Sequence, residues 1–548
     1  HNDKPFFTAA LRIGVIGAGD YARDMLRSLA PFASLFQHGG RPLRWIDDTE
    51  YSNTLTPTQI QEMFTLSRTH RAGFLVNSWE LAGLVHIPPA AILEFRRIPV
   101  QTLETLPVKN PDLEAGLRIG TCVYANEFRP VCIPDDIRSL HIQLLGRPGM
   151  GKSTVAEHMT LGDIDNGHGV AVIDPHGDLI ERLLRLIPEK HIDRIVYFNP
   201  GDPDWVPLWN PLKKIPGQDD VRTANDLVGS IKSVVTGWGD RLESLLRYAF
   251  LAAFSMEGKS FRDVADLLRR GSKESNALRK ELYTVVQNEA VLNFWRYDFE
   301  GYRKEELSPP QHKLSKLLAS GTVALMLSKS SSLIDLRRIM DEGMILLVDL
   351  SSLDSELRNL LGCFLLVLLH QAAISRSAVP PEERREFHIY ADDAHRFVTD
   401  ALEGIIAEDR KYKVSLTLAH QYLSQFSREK ADAISTVGTA IIFNVDTRDA
   451  QYLKKDLRDM VEVKDIITLR RGQAIARIGT EIVRFDTLEP KPIPEKHFRE
   501  RIIAECHRKY YKPASEVRAA LRQRSNSYET SLRPLPLGSE EDFRYDEF

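Results

Sequence analysis

The feature that most constrains this chain is an eight-residue stretch, Gly146-Arg147-Pro148-Gly149-Met150-Gly151-Lys152-Ser153. It follows the apolar run Leu140–Leu145 and leads into helix-forming sequence, so it satisfies G-x-x-x-x-G-K-[ST] in the strand–loop–helix context that gives the pattern meaning. The glycines let the backbone curl until its N–H groups converge on phosphate oxygens, and the dipole of the following helix adds positive potential there. Such a loop needs a strand before it and a helix after it, which points to an α/β fold with a parallel sheet. The expected nucleotide contacts are Gly146, Pro148, Gly149, Gly151, Lys152, Ser153 and Thr154. Lys152 is expected to bridge the β- and γ-phosphates and the Ser153 hydroxyl to bind Mg²⁺, which makes ATP and Mg²⁺ the expected cofactors.

The surrounding pattern agrees. Short apolar runs alternate with helical stretches from about residue 130 onward. Expected strands are Leu140–Leu145, Val170–Ile173, Arg194–Phe198, Met344–Asp349, Phe387–Ala391, Val414–Ala419 and Thr439–Val445, several of them apolar on both faces as in a covered parallel sheet. Gln473–Ile478 and Glu481–Phe485 read as a hairpin across Gly479-Thr480. Between about 215 and 340 the series is interrupted by apolar residues at helical spacing, in Val221–Thr236, Arg241–Phe254, Asp263–Leu268, Asn276–Gln287 and Leu314–Leu327. The expected organisation is an N-terminal α+β domain over 1–130, an ATPase core over 131–214 and 341–490, an all-helical insertion over 215–340, and an extension over 491–548. That extension has a basic helical stretch, Glu516–Arg524, and a flexible acidic tail.

A P-loop site also needs a carboxylate for Mg²⁺ at the end of a nearby strand. Phe387–Ala391 ends in Asp392-Asp393: Asp392 is expected to hold the metal through water, and Asp393 to orient or deprotonate the attacking water. Asp349, at the end of Met344–Asp349, is the rival. Two adjacent carboxylates repel unless something compensates them.

Net charge is −4, so contact with nucleic acid must come from local basic surface. The four cysteines are scattered without a C-x-x-C pair, which argues against a zinc or disulfide framework and for a reducing, cytoplasmic setting. The longest apolar run, Leu360–Leu369, is about half of the ~20 residues that a bilayer needs and reads as a buried helix. No membrane segment is expected in this chain, and an anchor upstream of His1 stays open.

Asp392-Asp393-Ala394-His395-Arg396-Phe397 is followed by Ala407-Glu408-Asp409-Arg410-Lys411-Tyr412, then by Leu418-Ala419-His420-Gln421-Tyr422-Leu423-Ser424-Gln425. With Ile173-Asp174-Pro175-His176-Gly177-Asp178, Gly237-Trp238-Gly239-Asp240-Arg241 and Arg471-Gly472-Gln473-Ala474, this order resembles the FtsK–HerA superfamily of hexameric DNA motors. The likeness is greatest to the branch of type IV secretion and conjugation coupling ATPases. It spans about 130–490 and, more loosely, 70–130 and 490–515. It implies a RecA-like motor domain with a helical insertion, a six-membered ring with ATP at subunit interfaces, and sequence-independent binding of DNA, expected as duplex. Lys152 and Ser153 take the P-loop roles, Asp392 the metal role, Gln421 senses the γ-phosphate, and Arg410 reaches a neighbour's ATP as an arginine finger. The family usually has Asp-Glu where this chain has Asp392-Asp393, which shortens the second acid by one methylene; Glu408 is a conceivable substitute.

Other motifs carry less. Gly17-Ala18-Gly19-Asp20-Tyr21-Ala22 matches a dinucleotide fingerprint but lacks the acid expected about 20 residues on. His176, His395 and His420 stand singly at strand ends, and their spacing indicates no metal cluster. Basic pairs such as Arg269-Arg270, Arg337-Arg338, Arg384-Arg385, Lys454-Lys455 and Arg470-Arg471 are ordinary surface unless a ring aligns them. Trp205, Trp209, Trp238 and Trp295 fit core positions better than base-stacking platforms. The reading is an ATP-driven DNA translocase, serving a nuclease or defence complex or acting as a secretion coupling ATPase. The alternative is a nucleotide-controlled scaffold ATPase that assembles with a protein partner without moving DNA.

Overall fold

The computed structural model describes residues 110–124, 127–319 and 321–530, with short segments of the first hundred residues. Among those segments Phe6–Ala9 pairs antiparallel with Phe74–Asn77. The chain divides into one unit of 1–106 with 123–129, and a second of 107–122 with 130–548. The fingerprint around Gly17 and the acidic tail lie outside the described residues.

Residues 117–487 carry an eleven-stranded sheet: β1 (Leu117–Tyr124), β2 (Glu127–Ile133), β3 (Ile142–Leu145), β4 (Gly169–Asp174), β5 (Ile195–Phe198), β6 (Ile345–Asp349), β7 (Phe387–Ala391), β8 (Val414–His420), β9 (Thr439–Ile442), β10 (Gln473–Ile478) and β11 (Glu481–Thr487). They lie in the order β2-β1-β11-β10-β9-β3-β8-β7-β4-β6-β5. From β9 to β5 the pairing is parallel, and β10 and β11 add antiparallel. The parallel part, with helices on both faces, is the RecA-like P-loop core. The sheet gains its β1–β2 edge from residues 117–133, where the sequence pattern gave no strand.

Alternation decides the two cores. Ala171 and Ile173 of β4, with Leu346 and Val348 of β6, face the larger apolar cluster, which continues into the helical insertion. Val170 and Val172, with Ile345 and Leu347, face the other. Period-2 geometry sends successive residues to opposite faces, so a strand apolar throughout is covered on both. On the second face lies α1 (Lys152–Asp165), buried through Val155, Met159 and Ile164.

The insertion is helical as expected, from Asp220–Val234 onward, and centres on fully buried Trp295, Phe250, Phe261 and Phe299. One expected helix, Leu314–Leu327, is two, Lys304–Leu317 and Gly321–Leu327. Gly321 at φ +45° leaves the right-handed helical region, so apolar spacing there runs across a break. Ser355–Ala378 is long and apolar enough to cross a membrane, but 83% of its most apolar window is buried inside the protein. All four cysteines are buried and free. The C-terminal segment folds back onto the core: Tyr511–Pro513 pairs with Trp205–Pro207, and the Tyr511 hydroxyl donates to Tyr197 O at 3.0 Å.

Candidate functional site: a phosphate loop facing a row of carboxylates

β3 lies between β9 and β8 in the sheet, and the P-loop leaves its C-terminal end. Backbone bonds fix the loop: Gly146 N donates to His420 O at 3.3 Å, Arg147 N to Asn444 O at 2.9 Å, and Gly472 N to Met150 O at 3.0 Å. Gly146 is required by packing, because a Cβ there would meet Phe443 Cβ at 2.5 Å. Gly151, at φ +124°, makes the turn into α1 that other residues rarely adopt. Gly149 and Pro148 are exposed, as is Ser153, while Thr154 is partly buried.

Lys152 is buried, and its Nζ donates to Gly146 O at 2.5 Å and Arg147 O at 3.1 Å. The ammonium is thus folded over the loop that would hold phosphate. Burial lowers its pKa, while the charges of Asp392 and Asp393 act the other way.

The two adjacent acids leave the C-terminal end of β7. Asp392 follows β7 and is tied to the sheet by its N–H donating to Ile173 O at 3.0 Å. Burial, then the charges of Asp174 and Asp393, push its carboxyl up to about 6. Asp393 adopts φ +46°, ψ +44°, a left-handed conformation that Asp tolerates better than most residues. Asp393 N donates to Asp392 Oδ1 at 3.0 Å, while its own Oδ2 lies 2.8 Å from His176 Nε2 and 3.4 Å from Arg396 Nε. Burial would raise Asp393, but the His176 hydrogen bond and the charges of His176, His395 and Arg396 outweigh it and hold the carboxyl below its ordinary range. The repulsion expected of the pair is offset at Asp393 by the His176 hydrogen bond and the Arg396 guanidinium.

Gln421, one residue past β8, sends Nε2 toward Asp393 Oδ1 at 3.4 Å. It therefore reaches into the same space as Lys152, Asp392 and Asp393. Asp349 does not. β7 stands two strands from β3 and β6 stands four, roughly 10 Å against 19 Å at sheet spacing. Asp349 is also occupied by Ser351 N and Oγ at 3.0 and 2.6 Å. Glu408, the conceivable substitute for the longer acid, pairs with Arg222 at 3.1 Å.

Arg410 is exposed on the turn Asp409–Tyr412, just before β8. Lys413 N donates to Arg410 O, and Lys413 O accepts from Phe387 N, so Arg410 sits at the opposite end of β7 and β8 from the phosphate loop. Seven strand residues, roughly 20 Å, separate it from that level, so its guanidinium is out of reach of its own chain's site.

The sequence motifs did not assign Asp174 a role. It ends β4, next to β7, and its buried carboxylate accepts from His176 N at 2.8 Å and Leu179 N at 2.8 Å. It thereby shapes the turn that presents His176 to Asp393. The signal was an apolar strand ending in acid, but its adjacency to β7 is tertiary information. Among the basic pairs, Arg337 and Arg338 hold Asp341 and Glu342, Lys454 holds Glu462, and Arg384 caps the carbonyls of Val379 and Lys411. Arg470 and Arg471 are exposed beside the P-loop.

These residues fit MgATP by their chemistry: a glycine-lined anion cradle, a lysine over it, a serine hydroxyl at the helix start and a carboxylate across from it. Residues 126–298 match the family model of the type IV secretion-system coupling protein DNA-binding domain. Among solved structures, the unbound bacterial conjugative coupling protein TrwBdeltaN70 is similar with a TM-score of 0.51 at 15% identity, over 70% of this chain and 92% of that one. Plasmid coupling protein TrwB in complex with ADP and Mg²⁺ gives 0.51 at 16% identity, over 72% and 96%. Its complex with the non-hydrolysable GTP analogue GDPNP gives 0.50 at 17%, over 67% and 89%. Comparison with curated proteins finds no match.

Proposed function

We propose that the chain is a member of the coupling-protein branch of the FtsK–HerA superfamily of P-loop NTPases and an ATP-driven DNA translocase working as a ring, expected to be a hexamer. The observation that carries the reading is the apposition of Lys152, Asp392, Asp393 and Gln421 at one end of the sheet, with Arg410 exposed at the other. In this reading the loop N–H groups of Gly146–Ser153 hold the phosphates and Lys152 swings from Gly146 O onto the β/γ oxygens. Ser153 and Asp392 hold Mg²⁺, which supplies charge neutralisation on the transferring phosphoryl. Asp393, kept ionised by His176 and Arg396, orients and deprotonates the attacking water, and Gln421 links that acid to the γ-phosphate. Arg410 completes a neighbour's site, so hydrolysis requires assembly.

The match of 126–298 to a DNA-binding domain model supports DNA as the cargo, and the exposed Arg470-Arg471 beside the P-loop gives a cationic element that nucleotide state could move. Secretion or conjugation is the setting this branch favours. The test is ATP-driven displacement of a triplex-forming strand from duplex DNA. Displacement by the wild type and none by Lys152→Ala supports a motor; ATP hydrolysis without displacement on any DNA refutes translocation.

A further inference from the structure

At the end of the sheet away from the P-loop, three potential metal ligands converge from two elements that also build the ATP site. Asp163 lies in the last turn of α1 and is buried. The helix then ends on Gly167 at φ +84°, a C-terminal turn that brings His168 back over the helix, where its N–H donates to Asp163 O at 3.0 Å. Arg194 Nη2 holds this turn through the carbonyls of Gly167 and His168, at 3.2 and 2.7 Å. His388 is the second residue of β7 and faces the same side.

The distances are informative. His168 Nδ1 and His388 Nε2 are 3.1 Å apart, and Asp163 Oδ1 lies 3.9 Å from the first and 3.7 Å from the second. The carboxylate separations exceed hydrogen-bond length, while the two imidazole nitrogens stand at hydrogen-bond distance from each other. A triangle with these sides has a point about 2.1 Å from all three atoms, the Zn–N and Zn–O bond length.

The outer contacts also suit a metal centre. His388 Nδ1 is 2.7 Å from Ser415 Oγ, which fixes the ring and leaves Nε2 turned to the cluster. Asp163 Oδ2 is bound by Arg138 Nη2 at 2.7 Å and Tyr390 OH at 2.5 Å, which leaves Oδ1 turned to the imidazoles. The side chain of His168 is 28% exposed, so a fourth ligand can come from water. The guanidiniums of Arg138, on Asp163, and of Arg194, on the His168 carbonyl, are the opposing charges described beside it.

We propose that Asp163, His168 and His388 form a binding site for a divalent cation of the zinc class, separate from the Mg²⁺ of the nucleotide site. Two imidazoles and one carboxylate favour Zn²⁺ over Mg²⁺ or Ca²⁺, which prefer oxygen ligands. The cation clamps the C-terminal end of the P-loop helix to the strand that ends in Asp392, and so fixes the spacing of Lys152 and the metal acid from below.

The test is Co²⁺ substitution in the full chain, read by visible absorption, with Zn²⁺ competition. One tetrahedral Co²⁺ per chain, bleached by Zn²⁺, is expected in the wild type and in Lys152→Ala. His168→Gln, chosen because His168 is partly exposed, removes the band. Ser415→Ala weakens Zn²⁺ binding by roughly 10–100-fold, as loss of an outer hydrogen bond to a ligand does. Absence of tetrahedral Co²⁺ in the wild type, or its persistence in His168→Gln, overturns the site whatever the ATPase does.

Discussion

Replacing Asp392 by Asn tests the electrostatics of the site without any nucleotide. Burial and the neighbouring Asp174 and Asp393 raise its carboxyl from 3.8 to about 6, so the ionised form is disfavoured in the folded chain. A shift of about two units corresponds to about 3 kcal/mol. The sign follows from linkage: the folded state holds this proton to higher pH than the unfolded state does, so stability falls as pH rises between about 4 and 6 and stays low above that. Asn carries no charge and escapes this cost. Asp392→Asn is therefore expected to stabilise the nucleotide-free protein by about 3 kcal/mol at pH 7.5, of the order of 5 °C in melting temperature, and by only about 1 kcal/mol at pH 4.5. The same variant loses Mg²⁺-dependent hydrolysis, a site group kept at a cost in stability. The assay is thermal unfolding of wild type and variant without nucleotide at the two pH values. A variant less stable than wild type at pH 7.5, or a gain that does not shrink in acid, refutes the reasoning.

Arg410→Ala should leave melting unchanged, because the side chain is exposed, yet lower hydrolysis at least 100-fold. Mixing it with Lys152→Ala should restore part of the activity at shared interfaces, and no restoration counts against a role in trans. Asp393→Asn keeps the left-handed conformation but not the base; kcat should fall roughly 10²–10⁴-fold with KM for ATP little changed. A KM effect alone would make Asp393 a binding residue. Gly146→Ala drives a Cβ into Phe443 and should cost about 1–3 kcal/mol, read as a lower melting temperature.

How much of this was legible in the sequence depends on whether a role is local. The strand–loop–helix around Lys152 is local, since each residue is specified by the one next to it. Asp392 was legible for the same reason: an apolar run ends in acid. The resemblance already favoured it over Asp349, and the sheet order supplies the physical reason by placing β6 four strands from β3. In the sequence His176 is a single histidine near a strand end. Its contact with Asp393 joins residues 217 apart and depends on Asp174 shaping the turn. His168 and His388, 220 residues apart, were invisible as a pair for the same reason. The misjudged helix at Leu314–Leu327 shows the converse limit: apolar spacing persists across a turn, and Gly321 marks it only through its backbone angle.

The central claim is that ATP hydrolysis at Lys152 and Asp392 is coupled to DNA. The most direct measurement is the ATPase rate of the purified chain with and without duplex and single-stranded DNA at two salt concentrations, beside Lys152→Ala. The account predicts stimulation by DNA that weakens as salt rises, because phosphate contacts release counterions, and no activity in the variant. Hydrolysis that Lys152→Ala abolishes but no DNA alters would contradict it and leave a nucleotide-controlled assembly protein.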